Sequence, residues 1–152
     1  MAKTHSYGAT LLNNATESEA IQYVLNANPS LKRPTKDERR KILEILGLPR
    51  SFARAFDLVL LPSADISEIM AVSPEALKLV ELKTTKKKLM ENPTGFFFGA
   101  TDNEFQLAEK LGERYLFCFV SLHADSPGYK LLTAKEVEAR TKTKRLQYQI
   151  NL

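Results

Sequence analysis

Leu79-Val-Glu-Leu-Lys83 is the stretch on which the reading of this chain turns. As a strand it puts Val80 and Leu82 on one face and Leu79, Glu81 and Lys83 on the other, with Glu81 and Lys83 about 7 Å apart at strand rise. Twenty-four residues upstream, Asp57 stands at the start of a second apolar run, Phe56–Leu61. A charge there is costly unless it is paired or bound to metal. If the two strands lie side by side, two carboxylates and one ammonium converge. Two carboxylates and a few waters suit Mg²⁺, which takes hard oxygen ligands and rarely a full protein cage. A metal so held can polarise a phosphodiester and supply hydroxide, while the lysine stabilises the pentacovalent phosphate or orients the attacking water. Glu-X-Lys alone is also the ordinary alternation of a half-exposed strand. Asp57 on a second apolar strand at a suitable distance favours the chemical reading.

Outward from this centre, helix starts are marked by Ser/Thr followed three residues later by Glu, a pairing that satisfies two orphan amides reciprocally. Thr16–Glu19, Thr35–Glu38, Thr101–Glu104 and Thr133–Glu136 all fit. The second helix has Gly47 as its expected stop, and the third runs to Gly112. Apolar or alternating runs predict strands over Phe56–Leu61, Lys78–Lys83, Phe96–Phe98, Tyr115–Leu122 and Leu146–Leu152. The first and fourth are nearly all apolar, as for central strands covered on both faces. The strictly alternating Leu146–Leu152 fits an edge strand with one wet face. Pro62–Leu77 holds either a short strand or a helical turn. The expectation is a single α/β domain over residues 1–152, a mixed central sheet flanked by helices. Its parts are a helical N-terminal part (about 14–48), a core (about 56–122) and a C-terminal helix and strand (about 133–152).

The 152-residue length suits one domain, and 43% apolar with 26% charged residues excludes a disordered chain. No apolar run is long enough to span a membrane, and no signal-peptide core follows the start, so a cytoplasmic, intracellular protein without a membrane partner is expected. The single cysteine, Cys118, excludes an internal disulfide and reads as a buried inert thiol. His5 and His123 lack a Ser/His/Asp spacing or a second ligand and read as surface or loop residues. There is no phosphate-cradling Gly-Lys-Ser/Thr loop and no dinucleotide fingerprint. Net charge is +4 over residues 1–56, −3 over 57–104 and +3 over 105–152. An acidic, metal-holding middle between basic flanks would attract polyanions.

Asp, then Glu-X-Lys on the following strand, then a helix and an apolar strand, resembles the PD-(D/E)XK nuclease superfamily, whose fold is that of restriction endonucleases. The segment from Phe98-Gly-Ala-Thr-Asp-Asn-Glu104 through Gly112-Glu-Arg-Tyr115 to Val120 is similar to the Mrr-type branch. The resemblance spans roughly Phe56–Leu122. It implies a restriction-endonuclease-like fold, Asp57 and Glu81 as ligands of Mg²⁺ (Mn²⁺ as substitute), and Lys83 as the catalytic lysine. Phe56 stands where the pattern has proline. Some members add an acid from the first helix, which makes Glu17 and Glu19 candidates, Glu19 being also a capping-box residue. Glu104 is placed between a capping role and a site role, with Gln106 a weaker neighbour.

The resemblance implies a Mg²⁺-dependent DNA endonuclease of restriction type, with DNA as its partner, acting as a homodimer or with a partner subunit, since one site per chain must cut two strands. Lys86, Lys87 and Lys88 follow the proposed catalytic strand and are the first candidates for phosphate contact. Arg140–Arg145 and the group Lys32, Arg33, Lys36, Arg39, Arg40 and Lys41 come next, with a solvated helix face as the other reading of Arg39–Lys41. The competing functions are a non-catalytic nucleic-acid-binding module, or partner-dependent subunit, that keeps the fold, and a metal-free structural domain.

Overall fold

The computed structural model describes residues 2–152, with side chains from Ala15 onward. Helix α1 (Ala2–Ala27) leads into the two-residue strand β1 (Leu31–Lys32), helix α2 (Lys36–Ile45), strand β2 (Leu58–Leu60) and strand β3 (Lys78–Thr85). Helix α3 (Asp102–Leu111), strands β4 (Tyr115–Ser121) and β5 (Gly128–Thr133), and helix α4 (Ala134–Arg140) complete it. The strands form one mixed sheet in the order β1-β2-β3-β4-β5. Only β3 and β4 run parallel, and α3 makes the crossover that a parallel pair requires. The α/β expectation, a mixed sheet flanked by helices, therefore holds.

Strand alternation divides the interior in two. Leu58, Val80, Leu82, Leu116, Cys118 and Val120 face α1 through Ala20, Ile21 and Val24. On the opposite face Val59, Leu79, Tyr115, Phe117 and Phe119 meet Ile42 and Leu43 of α2 and Leu107 and Ala108 of α3. Glu81 and Lys83 share the parity of Leu79, so they lie on this second face and interrupt an otherwise apolar layer. Cys118 is fully buried, and burial pushes its thiol up to about 12, as an inert core residue requires.

Three of the four capping boxes form as expected, at Thr35, Thr101 and Thr133. The box at Thr16–Glu19 does not, because α1 is already helical from Ala2 and passes straight through it. No proline interrupts residues 2–27, so nothing stops the helix upstream. Gly47 terminates α2 with φ +69°, a conformation in which a side chain is strained. Pro62–Leu77 resolves into 3₁₀ turns over Ile69–Ala71 and Pro74–Ala76.

Two expected strands are absent. Phe96–Phe98 is irregular, its Phe96 and Phe98 rings both packing edge-on against Phe119 at 5.0 Å. The edge of β3 that this segment would have joined is taken by β4, so it crosses the sheet face toward α3 instead, and its aromatic alternation serves packing. Leu146–Leu152 is exposed throughout and carries no regular structure. The edge position belongs to β5, whose Cys118↔Leu131 register makes an antiparallel hairpin with β4.

Candidate active site

Asp57 and Glu81 are brought together at the end of the β2–β3 pairing. Leu58 lies opposite Val80 in the antiparallel β2–β3 pair, and Asp57 N donates to Val80 O at 2.8 Å. That amide goes to the carbonyl of the residue already opposite Leu58, so the register breaks at Asp57, and its carboxyl lies close enough to Glu81 to act on it directly. There the ladder ends, and the Asp57 side chain replaces it: Oδ2 accepts from Leu82 N at 2.8 Å. The chain has left the sheet at Phe56, so the strands part where the two carboxyls meet.

The segment before Asp57 is held by groups from outside it. Arg39 Nη1 of α2 donates to Ala53 O and to Phe56 O, both at 2.8 Å, with its guanidinium over the Phe56 ring. Tyr115 Oη of β4 donates to Ala55 O at 2.6 Å, and Asn103 of α3 reaches Ser51 O. Arg39 is therefore a scaffolding residue, a third role beside the two weighed for it. Arg40 and Lys41, by contrast, pair with Asp37 on the exposed helix face. Arg39→Ala is expected to cost about 2–3 kcal/mol by leaving partly buried carbonyls unpaired. Arg39→Lys is expected to recover little, because one ammonium cannot reproduce the fork and the ring stacking. Urea unfolding of the two variants checks both; a wild-type midpoint for Arg39→Ala would remove the scaffold role.

Lys83 lies between two carboxylates. Its Nζ is 2.6 Å from Glu104 Oε1 and 3.4 Å from Glu81 Oε1, with all three side chains nearly buried. Glu104 thus both caps α3 and enters the site. Its Oε2 accepts from Thr101 N and Thr101 Oγ1, and its Oε1 takes the ammonium. Glu81 is 8% exposed, and its Oε2 is buried with no hydrogen-bond partner. Burial, then the neighbouring Asp57 carboxylate, push the Glu81 carboxyl up to about 9, against the pull of Lys83. The site carries more negative charge than its single ammonium answers.

That imbalance fits a divalent cation. The donors are hard oxygens, the Asp57 and Glu81 carboxyls lie within side-chain hydrogen-bonding reach of each other through the proton that Glu81 keeps, and Glu81 Oε2 is buried with no other partner. No group of three or more His, Cys, Asp or Glu side chains forms a ready cage among the described residues, so any metal would complete its shell with water or substrate oxygens.

Of the two acids on α1, Glu17 is the one that senses the site. Burial and the Asp57 carboxylate raise its pKa, while Arg33 and Lys83 lower it. Glu19 is exposed. The periodicity holds the signal: Glu17 heads the stripe Ala20, Ile21 and Val24 at i+3, i+4 and i+7, whereas Glu19 lies some 200° round the helix from Glu17. Gln106 bonds to Asp102 on the exposed side of α3 and stays outside the site.

Lys86, Lys87 and Lys88 are exposed just past the end of β3. Lys88 faces Asp125 at 3.6 Å, while Lys86 and Lys87 have no ion-pair partner among the described residues. From the C-terminal basic run, Lys144 sits over the Phe105 ring of α3 at 5.3 Å. His123 accepts from Asp125 N in the loop after β4, as a loop residue; the side chain of His5 lies outside the described residues. No helix among the described residues is long and apolar enough to cross a membrane. No family model, curated protein or solved structure matches the chain.

Proposed function

We propose that this protein is a divalent-metal-dependent nuclease of the PD-(D/E)XK type that hydrolyses phosphodiester bonds of DNA. The observation that carries the reading is the meeting of Asp57 and Glu81 where β2 parts from β3, with Lys83 on the same face and Glu81 Oε2 unpartnered. The topology supports it: an Asp just before a strand, a Glu-X-Lys strand antiparallel to that strand, a crossover helix, then an apolar strand parallel to the second. A restriction-endonuclease-like core has that order of elements.

In this reading Asp57 and Glu81 hold Mg²⁺ or Mn²⁺, which when bound supplies charge stabilisation at the phosphate and lowers the pKa of water. The chain's own groups do the rest. Asp57 is fixed by the Leu82 amide and by the anchored Phe56 carbonyl. Lys83 presents its ammonium from a nearly buried position, where its field is weakly screened and aimed at a phosphate oxygen or the attacking water. Cutting both strands with one site per chain implies a homodimer or a partner subunit.

Lys86 and Lys87 lie just past the end of β3, where the chain turns, and are the proposed phosphate contacts. Lys86→Ala/Lys87→Ala is expected to weaken binding to all sequences alike and to flatten the log K against log salt slope by about 1.8, at about 0.9 per duplex contact. An unchanged slope would place the backbone path elsewhere.

The deciding experiment is plasmid cleavage by the purified chain in Mg²⁺ or Mn²⁺ against EDTA, beside Asp57→Ala. Metal-dependent cutting lost in the variant supports the proposal. DNA affinity that persists in EDTA, indifference to Asp57→Ala and no cutting would make it a binding module instead.

A further inference from the structure

Glu104 has more charge than its capping role needs. The cap uses Oε2 alone, accepting from Thr101 N at 3.2 Å and from Thr101 Oγ1 at 2.7 Å. A glutamine at this third helical position serves a capping box equally well. Yet the carboxylate is only 4% exposed, and a buried charge is retained at a cost unless it is paired. Its pair is Lys83, and the contact is the shorter of the two that Lys83 makes, 2.6 Å against 3.4 Å to Glu81.

We propose that Glu104 is the positioning residue of Lys83: it draws the ammonium off Glu81 and so keeps the Asp57–Glu81 pair open to a divalent cation. Lys83 sits between two carboxylates and can close on either. With Glu104 charged and anchored by Thr101, the ammonium is held on the α3 side, and Glu81 Oε2 stays unpartnered. Without that charge the carboxylate that still bonds Lys83 is Glu81, where the ammonium would occupy the field a metal needs. Thr101, at the head of α3, thereby fixes a lysine on β3 through one carboxylate. The inference rests on the metal-site reading above but not on what the metal does.

The test is a double-mutant cycle read by calorimetric titration with Mn²⁺: wild type, Glu104→Gln, Lys83→Met and the double variant. Glu104→Gln keeps the cap but breaks the shorter Lys83 contact, so its melting temperature should fall, though by less than that of Lys83→Met because the ammonium can close on Glu81, while its Mn²⁺ dissociation constant rises roughly 10- to 100-fold. In the Lys83→Met background the same change should leave Mn²⁺ affinity unaltered, because there is no ammonium to release onto Glu81. An equal loss in both backgrounds would make Glu104 a ligand and overturn the proposal. So would unchanged affinity in Glu104→Gln, or a wild type that binds no Mn²⁺. Should Lys83→Met not fold, hydrogen exchange of the Lys83 ammonium by NMR takes its place. Exchange that is slow in the wild type and fast in Glu104→Gln is expected, and equal exchange would overturn the idea. A wild type that shows the Mn²⁺ pattern yet cuts no DNA would end the nuclease reading and leave the role of Glu104 standing.

Discussion

In EDTA, Glu81→Gln is expected to be more stable than the wild type, by a margin that widens from acid to alkaline pH, and in Mg²⁺ to lose DNA cleavage. The stability half follows from linkage. The folded protein holds the Glu81 carboxyl at about 9 against an ordinary value of 4.5, because it is buried beside Asp57. Between those values the folded state binds a proton that the unfolded chain has released. Wild-type stability from this group is therefore complete below about 4.5 and declines as pH rises to about 9, with a limiting slope of about 1.4 kcal/mol per pH unit. Glutamine has no proton to release, so its contribution is flat. Melting curves at pH 6, 7 and 8 in EDTA should diverge with the variant above. Curves that ran parallel would mean that Glu81 is not the strained group described.

The functional half goes the other way. A metal that binds only the folded state adds stability by mass action. Mg²⁺ should thus raise wild-type melting and flatten its pH dependence, while Glu81→Gln gains little. Charge stabilisation by a bound metal is worth several kcal/mol, so losing a ligand should slow cleavage on the order of 10³-fold or more. Gain of stability with loss of activity marks a group kept for function. A merely structural Glu81 would lose stability on substitution and leave cleavage intact.

The site was legible in the sequence to the extent that local pattern and strand parity define it. Alternation alone puts Glu81 and Lys83 on one face, and the apolar run after Asp57 identifies the neighbouring strand. What joins Asp57 to Glu81 is the end of a strand pairing, and nothing within either segment states that Leu58 pairs with Val80 or that the ladder breaks at Asp57. The scaffold was illegible for a similar reason: Arg39 and Tyr115 act on main-chain carbonyls 14 to 60 residues away, and a carbonyl has no letter. Glu104 caps α3 with one oxygen and meets Lys83 with the other, and a Thr-X-X-Glu pattern states only the first of these. Glu17 and Glu19 were separable by helical phase, but the apparent capping box at Thr16 obscured it. The misplaced strands share a cause. Phe96–Phe98 and Leu146–Leu152 have strand composition, but a strand needs a vacant edge, and vacancy is a property of the whole sheet.

Lys83→Ala is expected to abolish cleavage while DNA binding persists, and to destabilise the fold where Glu81→Gln strengthens it. Removing the ammonium leaves Glu104, 4% exposed, and Glu81, 8% exposed, without their shared counter-charge. Breaking a buried ion pair from one side typically costs about 3–5 kcal/mol. The penalty has a definite pH sign. Lys83 holds the Glu81 carboxyl down, so its loss lets that pKa rise further, and the folded state keeps its protons to higher pH than the unfolded chain does. Wild type and variant both keep that proton from about 4.5 to about 9, so the stability gap between them should be level across that range and widen only above about 9. Adding Glu104→Gln to Lys83→Ala removes one stranded charge and keeps the Thr101 cap, so stability should partly return with no return of cleavage. That dissociation separates the two duties of the lysine, as the counter-charge that lets two carboxylates be buried and as the cation presented to the phosphate. If Lys83→Ala cut DNA at the wild-type rate, the second duty would belong to another residue, even in a fold with this arrangement of strands.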